Sequence, residues 1–315
     1  MKDKKGRRKD AIERFIESDQ TVVLSSLNQL RYTILCEGLP KEGGLCPYRT
    51  YVWSILLRVE PLDIDYYSKL VDQGPSDAFS KIQNDAFRTF QKDEEFNKKV
   101  STGVLMRILN SHALEVESMQ LHKSEILASP YVQGMNVLAA PFAYVCRSEV
   151  EAFALYSQLV DHQIPTYTTP NLMGVLNGVK LVDIILQLID AKLYNHLKSK
   201  MLTAKIYALP SVLTLSACTP PLDHVLELWD FLFSYGVHLN IFFVVAQTIL
   251  IRDELLKSSN PMIQLRELPK LDARKIIKLS LTLVKKTPDK LYDLIVRHVR
   301  EDVEDEIAEM ELASG

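Results

Sequence analysis

The sequence predicts an all-α protein, and three observations predict it. Apolar residues recur at intervals of three and four in one segment after another, as in Leu27, Leu30, Ile34 and Leu35, or Val104, Leu105, Ile108 and Leu109. That spacing lines one face of a helix. No stretch sustains the period-two alternation of a half-buried strand. Glycine is sparse, at 11 of 315 residues. The chain is long enough to bury a sizeable core, and a hydrophobic content of 47% marks it as globular rather than disordered. We expect one functional domain of two helical lobes over about residues 25–300. Residues 1–24 read as a basic, flexible arm, and residues 301–315 as an acidic C-terminal tail.

The elements follow in order. The pattern from Ser25 through Leu35 is a helix stopped by Gly38-Leu39-Pro40, and Gly43-Gly44 with Pro47 makes a loop. A second helix runs from about Tyr48 through Val52, Trp53, Leu56 and Leu57, with Trp53 in the core. Leu62 to Val71 forms a third, ended by Gly74-Pro75. Another spans about Phe79 to Gln91, anchored by Phe87 and Phe90, and Val100 to Gln120 is a buried helix. The nearly all-apolar Val137 to Cys146 carries Pro141, which should kink it. Ser148-x-x-Glu151 is a capping box for a helix over Glu149 to Gln163, closed by Ile164-Pro165.

The second half has the same texture. Leu172 to Ile189 is a helix whose Gly174 and Gly178 allow close packing, and Asp190 caps a shorter helix to Leu197. Leu222 to Tyr235 is amphipathic and capped by Gly236. Asn240 starts an apolar helix to Ile251, and Leu271-Asp272-Ala273 introduces another. Thr287-Pro288 opens the last, Asp289 to Val296, with proline at the first turn.

Charge excludes some functions. Residues 1–10 carry six Lys/Arg against two Asp, Glu301 to Glu311 carries seven acids and no base, and the net charge is −3. The rest of the chain is balanced, which argues against a nucleic-acid-binding surface. Cys36, Cys46, Cys146 and Cys218 show no C-x-x-C spacing and suit a reducing cytosol, with Cys146 and Cys218 as small core residues. No apolar h-region follows the basic tip, and the most apolar run, Ile241 to Ile251, is too short to span a bilayer. A cytoplasmic location is expected. His112 and His122 read as exposed or capping residues, without metal-ligand spacing and with no metal expected. There is no G-x-S-x-G and no P-loop.

Chemistry concentrates in two stretches. In Ile82-Gln83-Asn84-Asp85-Ala86-Phe87-Arg88-Thr89-Phe90, the residues Ile82, Asp85 and Arg88 share a helix face. Asp85 can hold the Arg88 guanidinium in one orientation and leave other donors free for an anion. In Tyr131-Val132-Gln133-Gly134-Met135-Asn136, which follows Pro130, Gly134 permits a bend that projects Gln133 from a loop. An arginine and an amide offered together suit GTP hydrolysis, neutralising phosphate charge and positioning water. Alone, such an Asp–Arg pair is usually a solvated surface pair worth a few tenths of a kcal/mol.

Together, I-x-x-D-x-x-R-T-F and the downstream Y-x-Q-G-M-N resemble the TBC-domain family, GTPase-activating proteins of Rab-like small GTPases. The opening Gly38-Leu39-Pro40 with Arg49-x-x-Val52-Trp53, and the later Leu228-Trp229-Asp230 with Gly236, resemble the same family in the same order. The resemblance implies a single TBC domain. It implies that Arg88 and Gln133 are catalytic fingers inserted in trans, supported by Asp85, Tyr131 and Asn136, while Arg49, Trp53, Trp229 and Asp230 are structural. It implies a small Ras/Rab-like GTPase as partner, which itself carries GTP and magnesium, so that this chain needs no cofactor. One departure is Gln91, where the family commonly has proline after R-T-F.

The domain-only architecture and the wording of the motifs further resemble the fungal mitotic-exit and septation checkpoint branch. That resemblance implies a two-component activating complex with a scaffold subunit at the spindle pole body. Two other readings stand beside it: a non-catalytic GTPase-binding scaffold, and a Rab activator in vesicle traffic.

Overall fold

The computed structural model describes residues 20–40, 46–60, 63–122 and 128–314, and every regular element among them is helical. The expected arm lies almost wholly outside the described residues. Helix α1, Gln20–Cys36, begins upstream of the expected start and ends before Gly38, whose φ is +77°. Helices α2, Arg49–Leu57, and α3, Ile64–Asp72, follow; the Asp63 carboxylate accepts from Tyr66 N and so caps α3.

The N-terminal lobe is built around a long helix. After α4, Phe79–Arg88, and the short α5, Glu94–Lys99, helix α6 runs Thr102–His122. Then come α7, Met135–Val145, and α8, Glu149–Gln158. Helix α6 packs against α3, α4, α7 and α8. Pro141 lies inside α7 without ending it, and the Ser148–Glu151 capping box forms as expected. A five-residue π turn, Leu159–Gln163, prolongs α8 to the expected end.

The C-terminal lobe is organised on α9, Met173–Ile189, and α14, Asn240–Leu250. Between them lie α10, Ala191–Ser199, α11, Ala204–Tyr207, α12, Leu209–Leu213, and α13, Leu222–Tyr235. After α14 come α15, Arg252–Lys257, α16, Met262–Arg266, α17, Ala273–Lys286, and α18, Asp289–Arg297. A Cβ on Gly174 would lie 2.0 Å from Thr166 Oγ1, and one on Gly178 2.9 Å from Val212 Cγ1, so both glycines permit the close approach their spacing suggests.

Helix α13 joins the lobes by packing on α1, α2 and α7. Its Trp229 lies with Trp53, Phe142 and Phe233 in one aromatic cluster; Trp53 is 5.0 Å from Phe233 and 5.5 Å from Phe142 between ring centroids. Beneath this cluster Arg49 grips Asp230 with two hydrogen bonds, Nε to Oδ1 at 3.0 Å and Nη2 to Oδ2 at 3.1 Å. The Trp53 indole donates to the same carboxylate at 2.8 Å. Both charged groups are buried. Burial raises the Asp230 carboxyl from its ordinary value, and the Arg49 guanidinium opposes that rise. Asp230 is thus an interior acid tying α2 to α13.

Several expectations are corrected. Helix α4 stops at Arg88 instead of Gln91, because Thr89 turns extended and Phe90 takes a left-handed φ of +47°. Phe87 is exposed and does not anchor α4, whereas Phe90 packs edge-on against Phe96. His112 is buried, with Nε2 3.0 Å from Asp161; the His122 side chain lies outside the described residues. Of the two cysteines expected in the core, Cys146 is partly buried against it and Cys218 is exposed, whereas Cys46 is buried.

The acidic segment after residue 300 is no tail. It forms α19, Glu304–Ser314, with Val303 and Ile307 buried against the fold. Arg297 pairs with Asp293, Glu301 and Glu306, and Lys180 pairs with Glu304. Opposite charges on α18 and α9 offset the acidic density, and two apolar residues dock the helix. Among the described residues, no helix is long and apolar enough to cross a membrane.

Candidate functional site

The end of α4 and the start of α7 meet at one carboxylate. Asp85 lies on the buried side of α4, held in register by Ile82, which is fully buried. Its Oδ1 accepts from Arg88 Nε at 2.9 Å and from Arg88 Nη2 at 2.5 Å. Its Oδ2 accepts from the Tyr131 hydroxyl at 2.7 Å. Burial lifts the Tyr131 phenol well above its ordinary range, and the Asp85 carboxylate adds to the shift. The hydroxyl therefore stays protonated and donates to Asp85.

Asn136 ties the loop to the end of the helix. Its amide nitrogen donates to Thr89 Oγ1 at 2.8 Å, and its Oδ1 accepts from Gly134 N at 3.1 Å. Thr89 in turn donates to the Asp85 carbonyl at 2.8 Å. That bond satisfies a carbonyl of the last turn just where the chain leaves the helix. Gly134 has φ +112°, and a Cβ there would lie 2.7 Å from Leu213 Cδ2, so a side chain is excluded by both backbone and space. The turn that glycine makes leaves Gln133 exposed, with no hydrogen bond from its amide to the described residues.

The five residues expected at the site, Asp85, Arg88, Tyr131, Gln133 and Asn136, are therefore brought onto one helix end and one loop. Arg88 keeps 55% of its side chain exposed while Asp85 keeps 10%. A pair this open contributes only a few tenths of a kcal/mol to folding. Its consequence is orientation: Nε and Nη2 are engaged inward, and Nη1 is free to face outward. The sequence reading missed Thr89, which links Asp85 to Asn136; its place beside the motif arginine was the available signal. Beyond Phe90, Gln91 donates to the Phe87 carbonyl at 2.7 Å, so the backbone after α4 is held without the proline.

A model of the Rab-GTPase-TBC domain matches residues 46–256, a span that contains all of these residues. The chain belongs to this TBC-domain family. It is 45% identical over 273 residues to fission yeast (Schizosaccharomyces pombe) cell division control protein 16, covering 86% of this chain and 88% of that one. It is 44% identical over 296 residues to the mitotic check point protein BUB2 of Saccharomyces cerevisiae, covering 92% and 97%. A putative mitotic check point protein BUB2 of Dictyostelium discoideum is 40% identical over 87% of this chain and 75% of its own. The TBC fold is seen again in the crystal structure of the Ypt/Rab-GAP domain of Gyp1p, at a TM-score of 0.69 and 20% identity over 87% of this chain and 95% of that one. The Chlamydomonas flagellar RabGAP TBC domain matches at 0.63 and 20%, over 84% and 92%.

Proposed function

We propose that this TBC domain is a GTPase-activating protein that supplies Arg88 and Gln133 in trans to a small Ras/Rab-like GTPase. The observation that carries the reading is the shared carboxylate. Asp85 orients Arg88 with one oxygen and, through Tyr131, fastens the loop that presents Gln133 with the other. A guanidinium aimed outward neutralises charge building on the transferred phosphoryl group, and a free amide orients the attacking water. GTP and magnesium are brought by the GTPase, so Asp85, Tyr131 and Asn136 act only as positioning residues here. The free outward donors of Arg88 and the exposed Gln133 also favour an active donor over a silent GTPase-binding scaffold.

The kinship with cell division control protein 16 and with BUB2, by name mitotic and division-control proteins, supports a checkpoint role in restraining mitotic exit and septation. On that reading the chain works with a scaffold subunit at the spindle pole body. Affinity capture from synchronised fungal cells tests this part. Recovery of a Ras-like GTPase with a scaffold supports it, and recovery of vesicle Rabs alone contradicts it.

A further inference from the structure

A second polar site lies where the lobes meet, and it shares no residue with the Arg88–Gln133 network. A cavity of about 730 Å³ is lined by Arg31 of α1, Arg58 just after α2 and Arg300 just after α18, and among the described residues neither aspartate nor glutamate lines it. Arginines that line one recess with no carboxylate among its described lining repel one another, and an anion between them relieves that repulsion.

Each arginine adds its own observation. The Arg31 Nε is buried and has no hydrogen-bond acceptor among the described residues. A buried donor without an acceptor is costly, so the Arg31 guanidinium is held at a cost beside the recess. Arg58 adopts φ 59°, ψ 48°, a left-handed helix cap that glycine or asparagine fills at lower cost. Keeping a long cationic side chain there costs on the order of 1 kcal/mol in backbone strain, which points to a use for the guanidinium. Arg300 is held by the His162 carbonyl and by Gln163 Oε1, which engage Nε and Nη2 and leave Nη1 to the cavity.

We propose that this cavity is a recognition site for a phosphomonoester carried on a serine or threonine side chain of a partner protein. Forked arginine donors match phosphate oxygens in pairs, which a lysine-rich surface does not. Among the described residues the cavity has no lysine, and its three arginines fall short of the four to eight basic residues typical of anionic-membrane patches. Leu56 and Phe233 give the recess an apolar floor, and Tyr32 stands 65% exposed at its side. These surfaces fit the residues flanking a phosphorylated side chain, as in other arginine-cluster recognition of phosphopeptides.

The test uses the full chain and a degenerate-flank library of phosphoserine and phosphothreonine peptides, with the unphosphorylated library, inorganic phosphate and vesicles containing phosphoinositides as parallel probes. The proposal expects the phosphorylated library to bind at least about tenfold tighter than the unphosphorylated one. It expects Arg31→Gln and Arg58→Asn each to remove about tenfold of that preference. Arg58→Asn keeps the left-handed cap, so its melting temperature should equal or exceed that of the parent. Equal binding of the two libraries overturns the proposal, as does a phosphopeptide preference untouched by both variants. Arginine-dependent binding of vesicles without peptide preference overturns it in favour of a lipid headgroup. Response to inorganic phosphate alone overturns it as an adventitious ion only.

Discussion

The Tyr131 hydroxyl donates to Asp85 Oδ2 at 2.7 Å, so the carboxylate that holds Arg88 is itself held by the loop that carries Gln133. Removing that hydroxyl loosens both fingers without touching either. Tyr131→Phe should lower GTPase activation by roughly tenfold, because one charge-assisted hydrogen bond contributes about 1.5–3 kcal/mol and part of that loss falls on orientation. Binding of the GTPase should change less than the hydrolysis rate. Single-turnover rates at saturating activator, measured beside the affinity, separate the two effects.

Gly134→Ala tests the loop from the backbone side. The new Cβ meets Leu213 at 2.7 Å in a conformation that alanine disfavours, and Gln133 is the adjacent residue. We expect a loss of about 1–3 kcal/mol in stability. Activation should fall beyond what the unfolded fraction explains. Chemical denaturation and a hydrolysis assay on the same preparation check both.

The buried Arg49–Asp230 pair predicts a different outcome. Arg49→Ala leaves an uncompensated carboxylate between α2 and α13, at a cost of about 3–5 kcal/mol. That should lower the melting temperature by many degrees. Any folded fraction should keep its activity, since neither residue touches the fingers.

Acid should weaken the fold through two buried histidines. Burial lowers His298 to about 4 and His238 to about 4, both from an ordinary 6.5. His298 donates from Nδ1 to the Ile295 carbonyl and accepts from the Tyr167 hydroxyl at 2.9 Å, an arrangement that uses the neutral ring. Below pH 6.5 the unfolded chain takes up protons that the folded chain refuses. Their stabilisation is therefore complete above 6.5 and is lost as pH falls toward 4, by about 1.4 kcal/mol per pH unit for each histidine. Unfolding free energies measured between pH 7 and pH 5 should show this slope, and His298→Asn should flatten it.

Much of this architecture was legible in the chain. The Ser148–Glu151 box, the glycine pair on α9 and the Asp85–Arg88 spacing are local, and local chemistry decides them. The end of α4 was not legible, because Phe90 turns left-handed where Asn136, 47 residues beyond Thr89, draws that side chain out of the helix. The Arg49–Asp230 bond spans 181 residues, and neither partner's surroundings announce the other. His112 hid its burial because its partner Asp161 arrives from another helix. Between Glu301 and Glu311 seven acids masked the buried Val303 and Ile307, and bases that pair with these acids lie on α18 and α9.

The central claim is that Arg88 acts on the GTPase and not on the fold. The most direct measurement is single-turnover GTP hydrolysis by candidate Ras-like GTPases, with fungal extract present or absent to supply a scaffold. Each would be mixed with the parent, Arg88→Ala or Gln133→Ala. The account predicts that Arg88→Ala loses on the order of 10³–10⁵ in rate acceleration. It also predicts that this variant keeps the parent's melting temperature, its half-exposed ion pair contributing only a few tenths of a kcal/mol. An Arg88→Ala protein that still accelerates hydrolysis like the parent would contradict it, and so would one that fails only because it unfolds.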